Sequence, residues 1–247
     1  MLVEVNGLGK KYDKKTDFTI KDINIKCDGG EIVGILGHNG AGKSTTIKCL
    51  TAMHPYEEGT IKICGHDLKA EPIEAKKGFG YVSDEFVLFE KMTGYEFVNF
   101  LADVYNVTKE ERKQRIEHFQ TLFMLGDAIY NPISTYSHGM KQKISFMAAL
   151  IHNPKVVILD EPFIGLDPFT MSQVKSFFKS YSQQGNLILF SSHDLNTVQH
   201  FCNRAYIIDQ GVLLQEVNFE EFKKTDVDFY EYFLSITKRV SKSWASS

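Results

Sequence analysis

The chain has 247 residues, of which 43% are hydrophobic and 24% are charged, and its formal net charge is −3. This composition is ordinary for a globular protein, and the charge offers no concentration of Lys and Arg for nucleic acid, so no nucleic-acid partner is expected. The four cysteines form no Cys-x-x-Cys pair and predict neither a disulfide frame nor a metal site. Because the sequence lacks a signal-peptide pattern and an apolar run of ~18–20 residues, we expect a cytoplasmic protein.

The first third of the chain predicts antiparallel strands followed by a parallel one. Residues 2–5 alternate in the manner of an edge strand, and residues 18–25 alternate as a second, half-buried antiparallel strand. Between them, Tyr12 is either a partly buried strand-end residue or a platform on which a nucleotide base stacks. Residues 31–36 are a short apolar, β-branched run of the kind that forms a buried parallel strand.

A phosphate-binding loop pattern, G-x-x-x-x-G-K-S, follows this run directly. It is formed by Gly37, His38, Asn39, Gly40, Ala41, Gly42, Lys43 and Ser44, with Thr45 after it. Residues 44–53 resemble the first turns of a helix, whose N-terminus adds partial positive charge to the loop N–H groups. We predict that Lys43 reaches the β- and γ-phosphates and that Ser44 binds Mg²⁺. The alternative, an ordinary glycine-rich turn with a surface lysine, is disfavoured by the flanking strand and helix.

The middle of the chain changes from strand patterns to helix patterns. Residues 59–65 and 78–82 predict two strands, after which Thr93 caps a helix with a 3.6-residue period and Thr108 opens a capping box. Residues from about 93 to 150 therefore predict an inserted helical subdomain. Within it, Ser137 caps a helix start whose free N–H groups favour an anion.

Two later strands end in chemically active side chains. Residues 155–159 lead to Asp160 and Glu161, and residues 187–192 lead to His193. Because ligands of open parallel sheets lie beyond the carboxyl ends of the strands, the two carboxylates can face the phosphate loop. We predict that Asp160 holds Mg²⁺, directly or through water, and that Glu161 polarises an attacking water. An acidic pair that merely ends a strand is the alternative.

The C-terminal part predicts a hairpin and then helices. Residues 205–208 and 212–214 form the hairpin, and the segment from about 217 to 247 holds C-terminal helices and a tail, with an apolar stripe between Phe229 and Val240. We expect this stripe to pack on the body of the protein, with a partner interface as the alternative. The whole pattern predicts one α/β domain over residues 1–247: a P-loop NTPase core with a mainly parallel sheet, an N-terminal antiparallel β subdomain and the helical insertion.

The ordered set of motifs resembles the ATP-binding cassette (ABC) ATPases over nearly the whole chain. Ser137 and Gly139 stand in the signature sequence, whose usual form is L-S-G-G-Q, and Asp167 ends the Gly-Leu-Asp of the D-loop. The resemblance implies that Tyr12 stacks on adenine, that Asp167 lies at the nucleotide site, and that His193 contacts the γ-phosphate as the switch histidine.

Two motifs depart from the family pattern. The first glycine of the signature is His138 and its glutamine is Met140, although the serine and second glycine remain. The glutamine expected after the strand of residues 78–82 is Asp84, or Glu85 if the register shifts by one, and an acid there could still reach Mg²⁺ or the water. The sequence Tyr-Ser-x-Gly-Met-Lys-Gln is most similar to separate ATPase subunits of the exporter-type (ABC-2-like) branch.

The resemblance implies an ATPase subunit that pairs head to tail with itself or a related subunit around two ATP and Mg²⁺. Each site then joins the phosphate loop, Asp160, Glu161 and His193 of one subunit to Ser137 of the other. A separate transmembrane permease docks near residues 84–89 and the adjoining helical subdomain, and holds the chain at the inner face of the cell membrane. Residues 86–89 of this segment form an apolar cluster whose alternative explanation is local core. The alternatives are a soluble ABC-type ATPase for an assembly such as iron–sulfur cluster building, and a regulatory nucleotide-binding module.

Overall fold

The computed structural model describes residues 1–12 and 17–244, with side chains as far as residue 237. Ten strands occur in these ranges, namely β1 (Val3–Lys10), β2 (Ile20–Cys27), β3 (Ile32–Leu36), β4 (Glu58–Ile63), β5 (His66–Asp67), β6 (Phe79–Val82), β7 (Val156–Asp160), β8 (Leu187–Ser192), β9 (Arg204–Asp209) and β10 (Val212–Asn218). The same ranges hold nine α-helices, namely α1 (Lys43–Leu50), α2 (Pro72–Lys77), α3 (Gly94–Val104), α4 (Lys109–Leu122), α5 (His138–Leu150), α6 (Pro168–Gln183), α7 (Leu195–Phe201), α8 (Phe219–Phe222) and α9 (Phe229–Trp244).

A four-stranded antiparallel sheet forms one layer, with the order β2-β1-β4-β5. The pairing of β1 with β2 confirms the predicted antiparallel strands, but β1 also pairs with β4 and is not an edge strand. The edge prediction is wrong because alternation reports only which face of a strand is buried, as it does for Val3 and Val5. Alternation does not indicate that a second strand, β4, which follows α1 in the sequence, pairs with the other edge of β1.

The second sheet has six strands in the order β10-β9-β3-β8-β7-β6, and all neighbours except the β9–β10 hairpin are parallel. This arrangement confirms the predicted mainly parallel core. Strands β3, β7 and β8 are buried along their whole length and supply apolar residues to both faces of the sheet. Leu36 pairs with Ser192, and Asp160 pairs with Ser191, so the carboxyl ends of these strands meet at one edge.

Helices occupy the chain between β6 and β7. The predicted cap at Thr93 and the predicted capping box at Thr108 both form, since the Thr93 hydroxyl accepts from the Glu96 N–H at 3.1 Å and the Thr108 hydroxyl accepts from the Glu111 N–H at 3.3 Å. The Glu96 side chain completes a capping box at Thr93 as well. Helices α3, α4 and α5 pack through buried apolar side chains into the core on one face of the six-stranded sheet. Helix α3 follows its cap Thr93, and α5 ends at Leu150.

The C-terminal segment starts as a strand. β10 continues to Asn218, so residue 217, the predicted start of the helical segment, is still in a strand, where Val217 pairs with Ala205 and is buried. The first helix after it, α8, begins at Phe219. In α9, Phe229 and Phe233 are buried against the core, whereas the side chain of Val240 lies outside the described residues. No helix in the described ranges combines the length and the apolar character needed to span a membrane.

Candidate nucleotide-binding and hydrolysis site

The phosphate loop joins the carboxyl end of β3 to the start of α1. Gly40 and Gly42 take φ of 81° and 107°, in the left-handed region that favours glycine. At Gly37, a Cβ would lie 2.3 Å from the carbonyl oxygen of Ile208. No side chain of the described residues caps α1. The loop therefore packs closely against the sheet while the N-terminus of α1 stays available to an anion.

Lys43 is held at the base of this loop. Its buried ammonium donates to the carbonyl oxygens of Gly37 at 2.9 Å and His38 at 3.2 Å, and lies 3.4 Å from Glu161 Oε1. The two carbonyls belong to the loop itself, so the position of the cation is tied to the loop conformation. A cation so placed can neutralise phosphate oxygens that enter the loop.

Asp160 is fully buried, and the structure gives hydrogen-bond partners to one of its two carboxylate oxygens. Its Oδ1 accepts hydrogen bonds from the hydroxyls of Ser191 and Ser44, at 2.5 Å and 3.2 Å, whereas Oδ2 is buried with no partner among the described residues. Burial raises the pKa of Asp160, the Ser191 and Ser44 hydrogen bonds oppose that rise, and the carboxylates of Asp84 and Glu161 add to it. An unpartnered carboxylate oxygen beside a serine hydroxyl is an arrangement that could hold a hard cation such as Mg²⁺.

Glu161 occupies a left-handed backbone conformation with φ of 46°, which is uncommon for a residue other than glycine. Its N–H donates to the Ser191 hydroxyl at 3.0 Å, and its Oε1 lies 3.0 Å from His193 Nδ1. The side chain of His193 is half exposed, whereas that of Glu161 is largely buried. The structure thus gathers Lys43, Asp160, Glu161 and His193 at one sheet edge.

Ser191 is a residue of this site that sequence reasoning missed. Its hydroxyl donates to Asp160 and accepts from the Glu161 N–H, so one side chain fixes both acidic residues. The available signal was the change from apolar to hydroxyl residues after Phe190. This change points to the site only when β7 and β8 are known to be neighbours with Asp160 opposite Ser191, and the sequence alone does not predict that pairing.

Tyr12 lies beside the phosphate loop, at the first turn of α1. Its hydroxyl is 3.3 Å from Thr45 Oγ1 and 2.9 Å from Nδ1 of His54, a second residue that sequence reasoning missed. Tyr12 follows the end of β1 by two residues and is 53% exposed, so its stacking role remains a prediction. Much of its ring remains accessible to a ligand.

The signature region stands apart from this group. The exposed Ser137 side chain accepts from the Met140 N–H at 3.3 Å as the cap of α5, and no hydrogen bond among the described residues joins it to residues 37–45. His138 Nε2 donates to the Ile164 carbonyl oxygen at 3.3 Å, and its ring packs edge-on against Phe86, with 4.8 Å between centroids. Gly139 follows in the first turn of α5.

Two predicted site residues have local partners instead. Asp167 caps α6, because its carboxylate accepts from the N–H and the hydroxyl of Thr170, and these hydrogen bonds lower its pKa. Asp84 is exposed and accepts from the Glu85 N–H at 2.9 Å. Neither carboxylate forms a hydrogen bond with the group around Asp160 in the described part of the chain. Their roles at the nucleotide remain predictions.

Comparison with known protein families identifies this arrangement. The family described as "ABC transporter" matches residues 20–164, which include the phosphate loop, the signature serine and the Asp160–Glu161 pair. The chain belongs to the ABC transporter family. It is an ATP-binding, ATP-hydrolysing subunit of that family, which confirms the predicted family and activity.

Curated relatives cover most of the chain. The linearmycin resistance ATP-binding protein LnrL of Bacillus subtilis (strain 168) is 34% identical over 213 residues, which are 86% of this chain and 68% of that protein. The bacitracin transport ATP-binding protein BcrA of Enterococcus faecalis is 31% identical over 247 residues, which are 100% of this chain and 79% of that protein.

Solved structures confirm the predicted fold. An ATP-binding subunit of an ABC transporter superposes with a TM-score of 0.90 at 29% identity, covering 96% of this chain and 100% of that one. A dimeric ATP-binding cassette in a post-hydrolysis state with ADP and phosphate gives a TM-score of 0.79 at 23% identity, covering 88% and 99%. At that lower identity the second comparison supports the fold alone.

Proposed function

We propose that this ABC subunit pairs head to tail with a second ATPase subunit, closes around two ATP with Mg²⁺, and drives a separate permease that exports its substrate. One observation carries the proposal. The phosphate loop, Asp160, Glu161 and His193 lie together, whereas Ser137 is exposed at the start of a different helix. A second chain that supplies Ser137 and the α5 N-terminus completes the phosphate-binding groups.

The residues present fit Mg²⁺, because Asp160 Oδ2 is buried and meets no partner in the part of the chain that the structure describes, and the Ser44 hydroxyl lies 3.2 Å from Oδ1 of the same carboxylate. When bound, the ion neutralises charge on the β- and γ-phosphates. Lys43 contributes a second positive charge from the base of the loop. Glu161 Oε1 orients the attacking water and accepts its proton, and His193 Nδ1, 3.0 Å away, fixes the orientation of that carboxylate.

The permease is proposed to dock in an apolar groove beside the signature helix. The groove has a volume of about 380 Å³ and lies between β6, α3, α5 and residues 85–89. Val87 and Phe89 are 71% and 49% exposed at its rim, which local core packing does not explain. A short amphipathic segment of a cytoplasmic permease loop has the size and apolar character to cover such a groove, and this contact places the chain at the inner face of the cell membrane.

Export is proposed on the chain's similarity to LnrL and BcrA, whose names refer to linearmycin resistance and bacitracin transport. These names support an outward direction of transport. The selectivity for a substrate lies in the permease, because the groups gathered at the nucleotide site recognise phosphates and a base.

The test uses Glu161→Gln, which binds ATP without rapid turnover and stabilises the closed pair. We expect this variant to recover a stoichiometric polytopic membrane protein from detergent-solubilised native membranes in the presence of ATP. Adding Ser137→Arg provides a matched control, because a bulky cation at the α5 start blocks pairing while the phosphate loop is unchanged. A soluble partner, or none despite a trapped dimer, would instead support the soluble ABC-type class. Rapid turnover by Glu161→Gln would remove Glu161 from the role of base.

A further inference from the structure

The hydroxyl of Tyr12 is fixed while its ring stays accessible. The oxygen lies 2.9 Å from His54 Nδ1 and 3.3 Å from Thr45 Oγ1, and the residue is 53% exposed. A phenol has one donor and two acceptor sites, so it can donate to one of these partners and accept from the other at the same time. The ring is therefore held by its outer end and remains open to a stacking ligand.

His54 is itself held by the backbone at the end of α1. The N–H groups of Met53 and His54 both donate to the Lys48 carbonyl oxygen at 2.9 Å, and Ala52 takes a left-handed φ of 55°. Helix α1 begins in the phosphate loop and ends just before this turn. Helix α1 therefore fixes the position of the His54 imidazole, and with it the contact to Tyr12, relative to the phosphate loop.

The two rings meet edge to face, with centroids 5.4 Å apart and an interplanar angle of 86°. In this geometry His54 does not lie parallel to Tyr12, so it does not occupy the stacked position that a base takes. Lys10 Nζ lies 5.5 Å from the Tyr12 centroid and is paired with Glu57 at 3.1 Å. Lys10 lies over the ring and His54 contacts its edge, so the surroundings of Tyr12 restrict how the ring can turn.

We infer that His54 is a positioning residue for the nucleotide base, which acts by holding Tyr12 in the orientation on which adenine stacks. The inference rests on the proposed function of Tyr12 as the stacking residue. Its physical basis is preorganisation, because an exposed aromatic side chain without an anchor must lose rotamer freedom when a base binds. Because the Tyr12 hydroxyl is anchored at His54 and Thr45, the ring loses its rotamer freedom when the protein folds and not when the base binds.

The experiment measures the affinity of the full chain for ADP and for tripolyphosphate, both with Mg²⁺, since neither probe requires turnover and only ADP carries a base. We expect His54→Ala to weaken ADP binding about two- to tenfold, the range for one hydrogen bond, and to leave tripolyphosphate binding unchanged. His54→Asn, which keeps a polar atom near the place of Nδ1, should restore much of the ADP affinity. His66→Ala is the matched control, because His66 is a solvent-accessible histidine paired with Glu71.

A double-mutant cycle distinguishes anchoring from other effects. Tyr12→Phe keeps the ring and removes the hydroxyl, so combining it with His54→Ala should weaken ADP binding no more than the larger of the two single changes. Additive losses, or equal losses for ADP and tripolyphosphate, would overturn the inference. Tyr12→Ala should weaken ADP binding about five- to hundredfold through lost stacking. If it does so while His54→Ala has no effect, only the role of His54 fails; if Tyr12→Ala has no effect, the stacking role itself fails.

Discussion

Asp160→Asn is expected to stabilise the nucleotide-free protein and to abolish ATP hydrolysis. The carboxylate is fully buried, with Oδ1 hydrogen-bonded to two serine hydroxyls and Oδ2 without a partner in residues 1–12 and 17–244. Asparagine has nearly the same shape and keeps an acceptor for both hydroxyls, but it removes the negative charge. The same change deprives Mg²⁺ of an oxygen ligand, so stability and activity should move in opposite directions.

The size of the gain follows from the unsatisfied oxygen. A buried polar group without a partner costs ~1–3 kcal/mol, and more when it is charged. The new NH₂ group also lacks a partner, so part of that cost remains, and we expect a net gain of about 1–2 kcal/mol in the free energy of unfolding. For a protein of this size such a gain corresponds to a rise in Tm of roughly 2–8 °C.

The assay is urea unfolding in EDTA at neutral pH, with exposed Asp226→Asn as a control for removing a surface carboxylate. Burial raises the folded-state pKa of Asp160 above its ordinary value. The wild type therefore gains stability relative to the variant as pH falls through that folded-state pKa, and the difference should vanish below the unfolded-state pKa. A variant no more stable than the wild type at neutral pH, or a difference that does not change with pH, would refute the reasoning.

Two further substitutions probe other buried groups. Lys43→Ala removes the cation held by the phosphate loop and should weaken ATP binding about ten- to hundredfold, the range for charge-assisted hydrogen bonds; an unchanged affinity in a titration contradicts the phosphate-loop assignment. Burial lowers the pKa of His152 from 6.5 to about 4, so the protein should lose stability as pH falls between these values, because only the unfolded state gains the proton. His152→Gln should reduce that loss, measured by urea unfolding at stepped pH, and an unchanged pH dependence in the variant would mean that other groups cause it.

The features that the sequence predicted correctly depend on short stretches of chain. Thr93 and Thr108 form their capping boxes with residues three positions away, so the hydrogen bonds are determined locally. The position of Asp160 at the end of β7 follows from the apolar run before it. The direction of the parallel strands then brings it to the same edge as the phosphate loop.

The features that the sequence did not predict are contacts between distant segments. The alternation of residues in β1 did not indicate its pairing with β4. Ser191 and His54 are hydrogen-bonded to Asp160 and Tyr12, which lie 31 and 42 residues away in the sequence. A hydroxyl at a strand end or a histidine after a helix is common in proteins, and each becomes informative only through the partner that it meets. Single-residue chemistry was therefore enough to predict the acids and the lysine as site residues, whereas the residues that position them could be found only from the fold.

The departure from the family pattern at His138 shows how one motif accommodates another. The His138 ring contacts Phe86 in the segment beside the apolar groove and donates to the Ile164 carbonyl oxygen before the D-loop. A Cβ at Gly165 would lie 2.4 Å from His138 Cδ2, and Gly165 takes a φ of 77°, so glycine both permits this turn and makes room for the imidazole. The larger side chain in the signature is thus packed without displacing Ser137, whose hydroxyl still caps α5. The serine-capped start of α5 is preserved because Gly165, which has no side chain, leaves room for the imidazole.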